Sequence, residues 1–190
     1  MRFPPDFTYP AQKTETAALA ARCIAGLAAD HRVVVQAGGC SGLWPLALAQ
    51  HFAHVITFEP EPTNFQCLSE NCAPALNVSA FACALGDTRR SVGLSRPKAQ
   101  AGLWRVDGDG ETPMVPLDEM VTGPVDAIVL DVEGSELETL RGAERVIAEH
   151  RPLLWFEYLH HTAELDAFLV AHGYTPPAHA LGGDCYSIKE

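Results

Sequence analysis

The feature that most limits the fold is a series of short apolar runs separated by helix-length segments. VVVQA (33–37), HVITFEP (54–60), VSAFACALG (78–86), VDAIVLDVEG (125–134) and PLLWFEY (152–158) follow one another, and CYSIK (184–188) ends the series. A run that is apolar at consecutive positions has no face to offer water, so it suits a strand covered on both sides. Between the runs, residues 13–29, 41–52, 61–73, 135–149 and 163–172 read as helices. Thr63 is expected to cap the third of these, with Gln66 completing a capping box. Pro45 falls in the first turn of the second, where its missing N–H does no harm. Gly142 weakens the middle of the 135–149 helix by roughly 1 kcal/mol relative to Ala and is a place for it to split. Residues 91–95 and 103–106 read as an antiparallel hairpin or irregular loop. Strand and helix in alternation predict an α/β fold whose sheet is mostly parallel, with helices on both faces.

The length of 190 residues suits one domain, residues 1–190, with an N-terminal segment and helix (1–30) ahead of a core (33–188). Such a domain buries a sufficient core without disulfides or a structural metal. With 47% hydrophobic and 19% charged residues, the chain is neither disordered nor collagen-like nor a disulfide scaffold. Six cysteines form no CxxC pair and match no zinc spacing. The apolar stretch Ala17–Ala29 is interrupted by Arg22 and is too short to span a bilayer, and prolines 4, 5 and 10 break up any signal peptide. A soluble, reducing, cytoplasmic setting is expected. The net charge of −11 argues against nucleic acid or an anionic membrane as the main partner. That charge is uneven: residues 1–58 balance at +1 and residues 59–190 at −12. Within the acidic part, Arg89, Arg90, Arg96, Lys98 and Arg105 form a basic stretch without an acid. It reads either as a clamp for an anionic group on a substrate or as a solvated hairpin.

In parallel α/β sheets ligands bind beyond the carboxyl ends of the strands, so the residues that follow each strand carry the argument. After the first comes Gln36-Ala37-Gly38-Gly39-Cys40-Ser41-Gly42. Glycines let the backbone turn sharply and a ligand approach closely. The dinucleotide fingerprint is broken, with Ala37 where its first Gly belongs. After the second strand, Glu59 stands 23 residues past Gln36, about where an acid accepts from ribose hydroxyls in nucleoside-binding α/β folds. After the third comes Ala84-Leu85-Gly86-Asp87, either an adenine-reading edge or a plain Gly-Asp turn. After the fourth, Asp131 and Glu133 lie on one side of an extended segment. Two acids at the end of a buried strand are difficult to explain by packing alone. They suit proton abstraction, a cation or a positively charged cofactor; N-capping needs only one of them. Glu157 ends the fifth strand, with His160 and His161 behind it, either of them a general base or a surface residue.

Taken in order, VVVQAGGCSG, VITFEPEPTNFQCLSEN, ALGD, PLDEM and IVLDVEGSELETLRGAERVI, then a strand ending in Glu157, resemble the FkbM family of S-adenosylmethionine (SAM)-dependent methyltransferases. The similarity runs from about Val33 to about Tyr174, and its most specific piece is the 131–143 segment. The resemblance implies a class I methyltransferase (Rossmann-like) fold with a seven-stranded sheet. It implies that Gly38 and Gly42 shape the loop around the methionine part of SAM and that Glu59 holds the ribose. Ala84 and Asp87 then lie near the adenine, and Asp131 and Glu133 line the place where methyl donor meets acceptor. Family members often methylate hydroxyl oxygens, so O-methylation of a sugar or small metabolite is the expected reaction. The family usually has an acid where this chain has Gln36, Asn where it has Cys40 and Thr where it has Pro116. Gln36 is expected to hydrogen-bond the loop or the cofactor's ammonium, without a charge.

The expected reaction is an in-line displacement in which the protein mainly positions the reactants. Asp131 or Glu133, with His160 or His161 as second choice, is expected to accept the acceptor's hydroxyl proton. No metal is assigned, because the carboxylates offer no settled ligand set. A small-molecule or glycan acceptor is the expected partner. Two other readings stay open: a non-catalytic SAM-binding accessory module, for which Gln36 speaks, and an NAD-dependent oxidoreductase, against which the broken fingerprint speaks.

Overall fold

A computed structural model describes residues 1–8, 10–96, 101–157, 162–175, 177–179 and 184–188. The chain opens with helix α1 (Pro10–Leu27), then β1 (Val33–Ala37), α2 (Leu43–Leu48), β2 (His54–Phe58), α3 (Pro62–Cys72) and β3 (Val78–Phe81). A run of small elements follows: β4 (Ala84–Leu85), β5 (Arg90–Val92), β6 (Leu94–Ser95), a 3-10 turn (Ala101–Leu103), β7 (Arg105–Val106), β8 (Thr112–Val115) and α4 (Leu117–Met120). The rest comprises β9 (Ala127–Leu130), α5 (Glu136–Arg141), α6 (Glu144–His150), β10 (Leu153–Glu157), α7 (Ala163–Ala171), β11 (Ala178–His179) and β12 (Asp184–Ser187).

The main sheet has seven strands in the order β11-β12-β10-β9-β1-β2-β3. The β10, β9, β1, β2 and β3 strands are mutually parallel, and β12 runs antiparallel to β10 and β11. The mostly parallel seven-stranded sheet expected from the sequence is therefore present. Alternate residues feed two cores. Val34, Val55, Ala127, Val129 and Trp155 pack with Ala20, Ala21 and Ile24 of α1 and Leu48 of α2. Val35, Ile128, Leu130, Leu154 and Phe156 pack with Leu140, Ile147, Leu165 and Leu169 of α5–α7. These central-strand residues are at 0–2% exposure on both faces, which is why their runs read as continuously apolar, whereas β3 at the edge is only partly buried. Among the described residues no helix is long and apolar enough to cross a membrane.

Several local expectations are corrected. Glu61, not Thr63, caps α3: its carboxylate accepts from the Asn64 N–H at 2.7 Å, and Pro62 starts the helix. The expected 78–86 strand divides into β3 of the main sheet and β4 of a separate three-stranded sheet with β8 and β5. The expected hairpin is real in part, since β6 pairs antiparallel with β7, while β5 pairs with β8 instead. The 135–149 helix splits at Gly142 into α5 and α6. A side chain there is sterically excluded, because its Cβ would lie 1.9 Å from the Gly86 carbonyl oxygen. Asp118 of the PLDEM segment begins α6 anew, accepting from the Arg145 and Val146 N–H groups at 2.8 and 3.0 Å.

Candidate functional site

The register of the main sheet aligns four strand ends. Ala37 pairs with Phe58 and Leu130, and Leu130 with Phe156. The next residue on each strand therefore stands in one row: Gly38, Glu59 and Asp131 just beyond their strands and Glu157 at the last position of β10. All four line a cavity of about 350 Å³ at that edge.

The floor of the cavity is the loop after β1. Gly38 and Gly42 hold φ of 87° and 91°, and Cys40 holds 45°. These left-handed values suit glycine and strain a cysteine. Gly38 and Gly39 both donate their N–H groups to the Phe58 carbonyl at 3.0 Å. A Cβ on Gly38 would lie 1.9 Å from the Asp131 carbonyl oxygen, so this loop and the loop after β9 are in backbone contact. Glu59 ties the floor to the loop after β2. One of its oxygens accepts from the Cys40 N–H at 2.7 Å and the other from the Glu61 N–H at 2.8 Å. Burial pushes the Glu59 carboxyl up to about 7, against the pull of these two N–H groups, which favour the ionised form. Burial, with the nearby Glu59, pushes the Cys40 thiol up to about 12, so it stays protonated and is not a nucleophile at neutral pH.

The acid end lies beyond β9 and β10. Asp131, Glu133 and Glu157 each place a carboxylate oxygen within 4.8 Å of the others. Glu133 adopts φ 54° and is followed by Gly134 at 107°. Left-handed backbone at a non-glycine residue costs of order 1–3 kcal/mol and persists where the surroundings impose it. Here Glu136, 1% exposed, reaches back to the Gly134 N–H at 3.3 Å and closes the loop. The turn carries Glu133 into the cavity wall beside Asp131.

The opposite wall comes from outside the sheet. Phe7, Lys13 and Thr16 approach from the N-terminal segment and α1, and Leu103 and Trp104 from the segment between β6 and β7. Arg96 joins the two: it pairs with Asp6, and its guanidinium lies 4.8 Å from the centre of the Trp104 ring. This accounts for part of the basic stretch. Arg89 pairs with Glu119 at 2.5 Å, and Arg90 with Asp87 at 3.0 Å and with Glu138. Lys98 lies outside the described residues.

Of the residues singled out in the sequence, the structure brings Gly38, Glu59, Ala84, Asp131 and Glu133 together around the cavity. It does not bring Gln36, Gly42 or Asp87 into the wall. Gln36 is fully buried within the sheet, accepting from the Thr57 hydroxyl at 2.6 Å and donating to the Ala37 carbonyl at 3.1 Å. Both partners belong to strands β1 and β2, so Gln36 bonds within the sheet rather than to the loop, and its amide oxygen is turned to Thr57. Gly42 caps α2 and packs against α3, where a Cβ would meet the Cys72 sulfur at 3.1 Å. Asp87 is exposed and bound to Thr88 and Arg90. His160 and His161 lie outside the described residues. Sequence reasoning missed Lys13, Leu103 and Trp104, which reach the cavity only through tertiary docking.

A family model, the methyltransferase FkbM domain, matches residues 37–176. A methyltransferase FkbM from Methylobacillus flagellatus has a similar structure, with a TM-score of 0.67 at 22% identity, over 86% of this chain and 45% of that one. This chain thus spans less than half of that protein. A putative methyltransferase from Streptococcus mutans, solved in complex with SAH, is similar at a TM-score of 0.56 and 13% identity, over 92% of this chain and 98% of that one. The magnesium protoporphyrin IX methyltransferase of Synechocystis, solved with bound SAM, gives 0.53 at 14% identity, over 94% and 79%. No curated protein matches the sequence. These structures share the class I methyltransferase fold. With three quarters of its length covered by the family model, the chain belongs to the FkbM methyltransferase family.

Proposed function

We propose that the chain is a SAM-dependent methyltransferase that methylates a hydroxyl oxygen on a sugar or small metabolite. One observation carries the reading: a single cavity holds both a buried carboxylate suited to a ribose diol and a cluster of three acids suited to a cation and a hydroxyl proton. Two structures with the same fold were solved with SAH and with SAM. The donor set fits this group. About 350 Å³ lies within the range of small-molecule sites, roughly 300–1,000 Å³. The Glu59 carboxylate accepts from the Cys40 and Glu61 N–H groups and from the Asn64 side chain, and with about four lone-pair sites it keeps acceptor capacity for a ribose hydroxyl. SAM supplies a methyl group on a sulfonium centre. Part of the net negative charge stands where that cation would sit.

Asp131 or Glu133 takes the proton of the acceptor hydroxyl, and the strained Glu133 turn is what aims the second of these. Leu103 and Trp104 form an apolar lid segment in the wall of the cavity. Gln36, the residue that speaks for a non-catalytic module, is bonded inside the sheet. Methyl-labelled SAM incubated with a panel of sugars and hydroxylated metabolites tests the reading. Label on a hydroxyl oxygen is expected; label confined to nitrogen or carbon acceptors would overturn O-methylation.

A further inference from the structure

Four acids line the cavity: Glu59, Asp131, Glu133 and Glu157. Among its described lining residues, Lys13 is the sole positively charged side chain. A cavity of this kind selects cations, and its one lysine marks the place for an anionic group.

Lys13 is also in an unusual place. It lies in the first turn of α1, a turn without a single acid. The helix dipole makes that end positive, so a lysine there costs helix stability. Its ammonium has no hydrogen bond or ion pair among the described residues; it stands over the Phe7 ring, 5.1 Å from the centroid. On its other side is the 3-10 turn, where a Cβ on Gly102 would come within 3.4 Å of the Lys13 Nζ. Lys13 is thus held between the N-terminal segment and the lid. Its charge also reaches the loop after β1, where it partly offsets the rise of the Cys40 thiol.

The charge pattern of SAM complements this arrangement. The molecule carries a sulfonium, an ammonium and one carboxylate. Acids serve the first two, but a carboxylate brought into a wall of four acids needs a cation or several N–H donors. We propose that Lys13 is the carboxylate-binding residue of the cavity, holding the carboxylate at the amino-acid end of SAM. The inference rests on the SAM reading above and extends it to a residue the strand ends do not contain. An anionic group on the acceptor would have the same chemistry, and the test separates the two.

Calorimetry with SAH and with decarboxylated SAH, which lacks only the carboxylate, is run on the wild type and on Lys13→Met. The wild type is expected to bind SAH at least about tenfold more tightly than the decarboxylated ligand, the scale of one charge-assisted hydrogen bond. Lys13→Met should lose that preference, binding the decarboxylated ligand within about twofold of the wild type, since double-mutant logic makes the two deletions non-additive. Lys13→Arg should keep most of it. Equal SAH affinity in the wild type and Lys13→Met, beside tight wild-type binding, would overturn the inference while leaving the SAM reading intact, and would point to the acceptor as the anion. Equal weakening of both ligands would reduce Lys13 to a structural role and also overturn it. A wild type that binds neither ligand would overturn the SAM reading and the inference together. The wild-type comparison of the two ligands alone decides the matter if Lys13→Met does not fold: no preference for SAH refutes it.

Discussion

The carbonyl oxygen of Asp131 lies where Gly38 has no side chain, 1.9 Å from the position its β-carbon would take. The loop after β1 and the loop after β9 are therefore in direct backbone contact. Gly38→Ala should destabilise the fold by about 3 kcal/mol, the sum of left-handed backbone strain and forced displacement of a packed backbone. That is a large part of a typical total of roughly 5–15 kcal/mol. Urea unfolding of the two proteins measures it. A loss below about 1 kcal/mol would mean that the two loops separate easily.

Glu133 holds φ 54° because the loop imposes it. Glu133→Gly should therefore stabilise the protein by about 0.5–1 kcal/mol, while Glu133→Gln should leave stability nearly unchanged. Both should lower turnover on the acceptor found by the labelling assay, by roughly 10²–10⁴-fold if Glu133 is the base. Undiminished turnover in Glu133→Gln would move that role to Asp131.

Cys40 holds φ 45° beneath the cavity. Asn tolerates this conformation better than Cys, which gives a physical reason for the Asn that the resemblance leads one to expect there. Cys40→Asn should raise stability by about 0.5 kcal/mol in urea unfolding, with the Glu59 contact kept because it uses the backbone N–H. A destabilised variant would show that the buried thiol's packing outweighs the backbone term.

Glu59 sets a pH dependence whose sign is fixed by burial. Its carboxyl is raised from 4.5 to about 7 in the folded protein. Between those values the folded state binds a proton that the unfolded chain has released. The resulting stability is complete below about pH 4.5 and is lost as pH rises through about 7, on the order of 3 kcal/mol in all. The wild type should therefore lose Tm between pH 5 and 8 relative to Glu59→Gln, in which this contribution is absent. Ligand affinity should run the other way, because the ionised carboxylate is the better acceptor for a ribose diol. Matching pH profiles of Tm in the two proteins would contradict the account.

Much of the site was legible in the sequence because parallel strands in register deliver their carboxyl ends to one edge. Gly38, Glu59, Asp131 and Glu157 stand in a single row at that edge. The direction of each side chain was less legible. Gln36 sits two residues before that row, inside β1, where its side chain is held by Thr57 of the neighbouring strand. Asp87 follows a strand of the small sheet and meets Arg90 instead of the cavity. Glu61 outcompetes Thr63 as a cap because Pro62, between them, is suited to the first helical position. Lys13 and Trp104 come from α1 and from the segment just before β7, outside the main sheet, and the Asp6–Arg96 ion pair ties the N-terminal segment to the β6–β7 segment beside the site.

The central claim is that the cavity floored by Gly38 and Glu59 binds SAM, and calorimetric titration tests it most directly. SAH should bind the wild type with one site per chain, Glu59→Gln should bind it about tenfold or more weakly, and NAD should give no binding heat. NAD binding without SAH binding, or SAH affinity indifferent to Glu59, would contradict it.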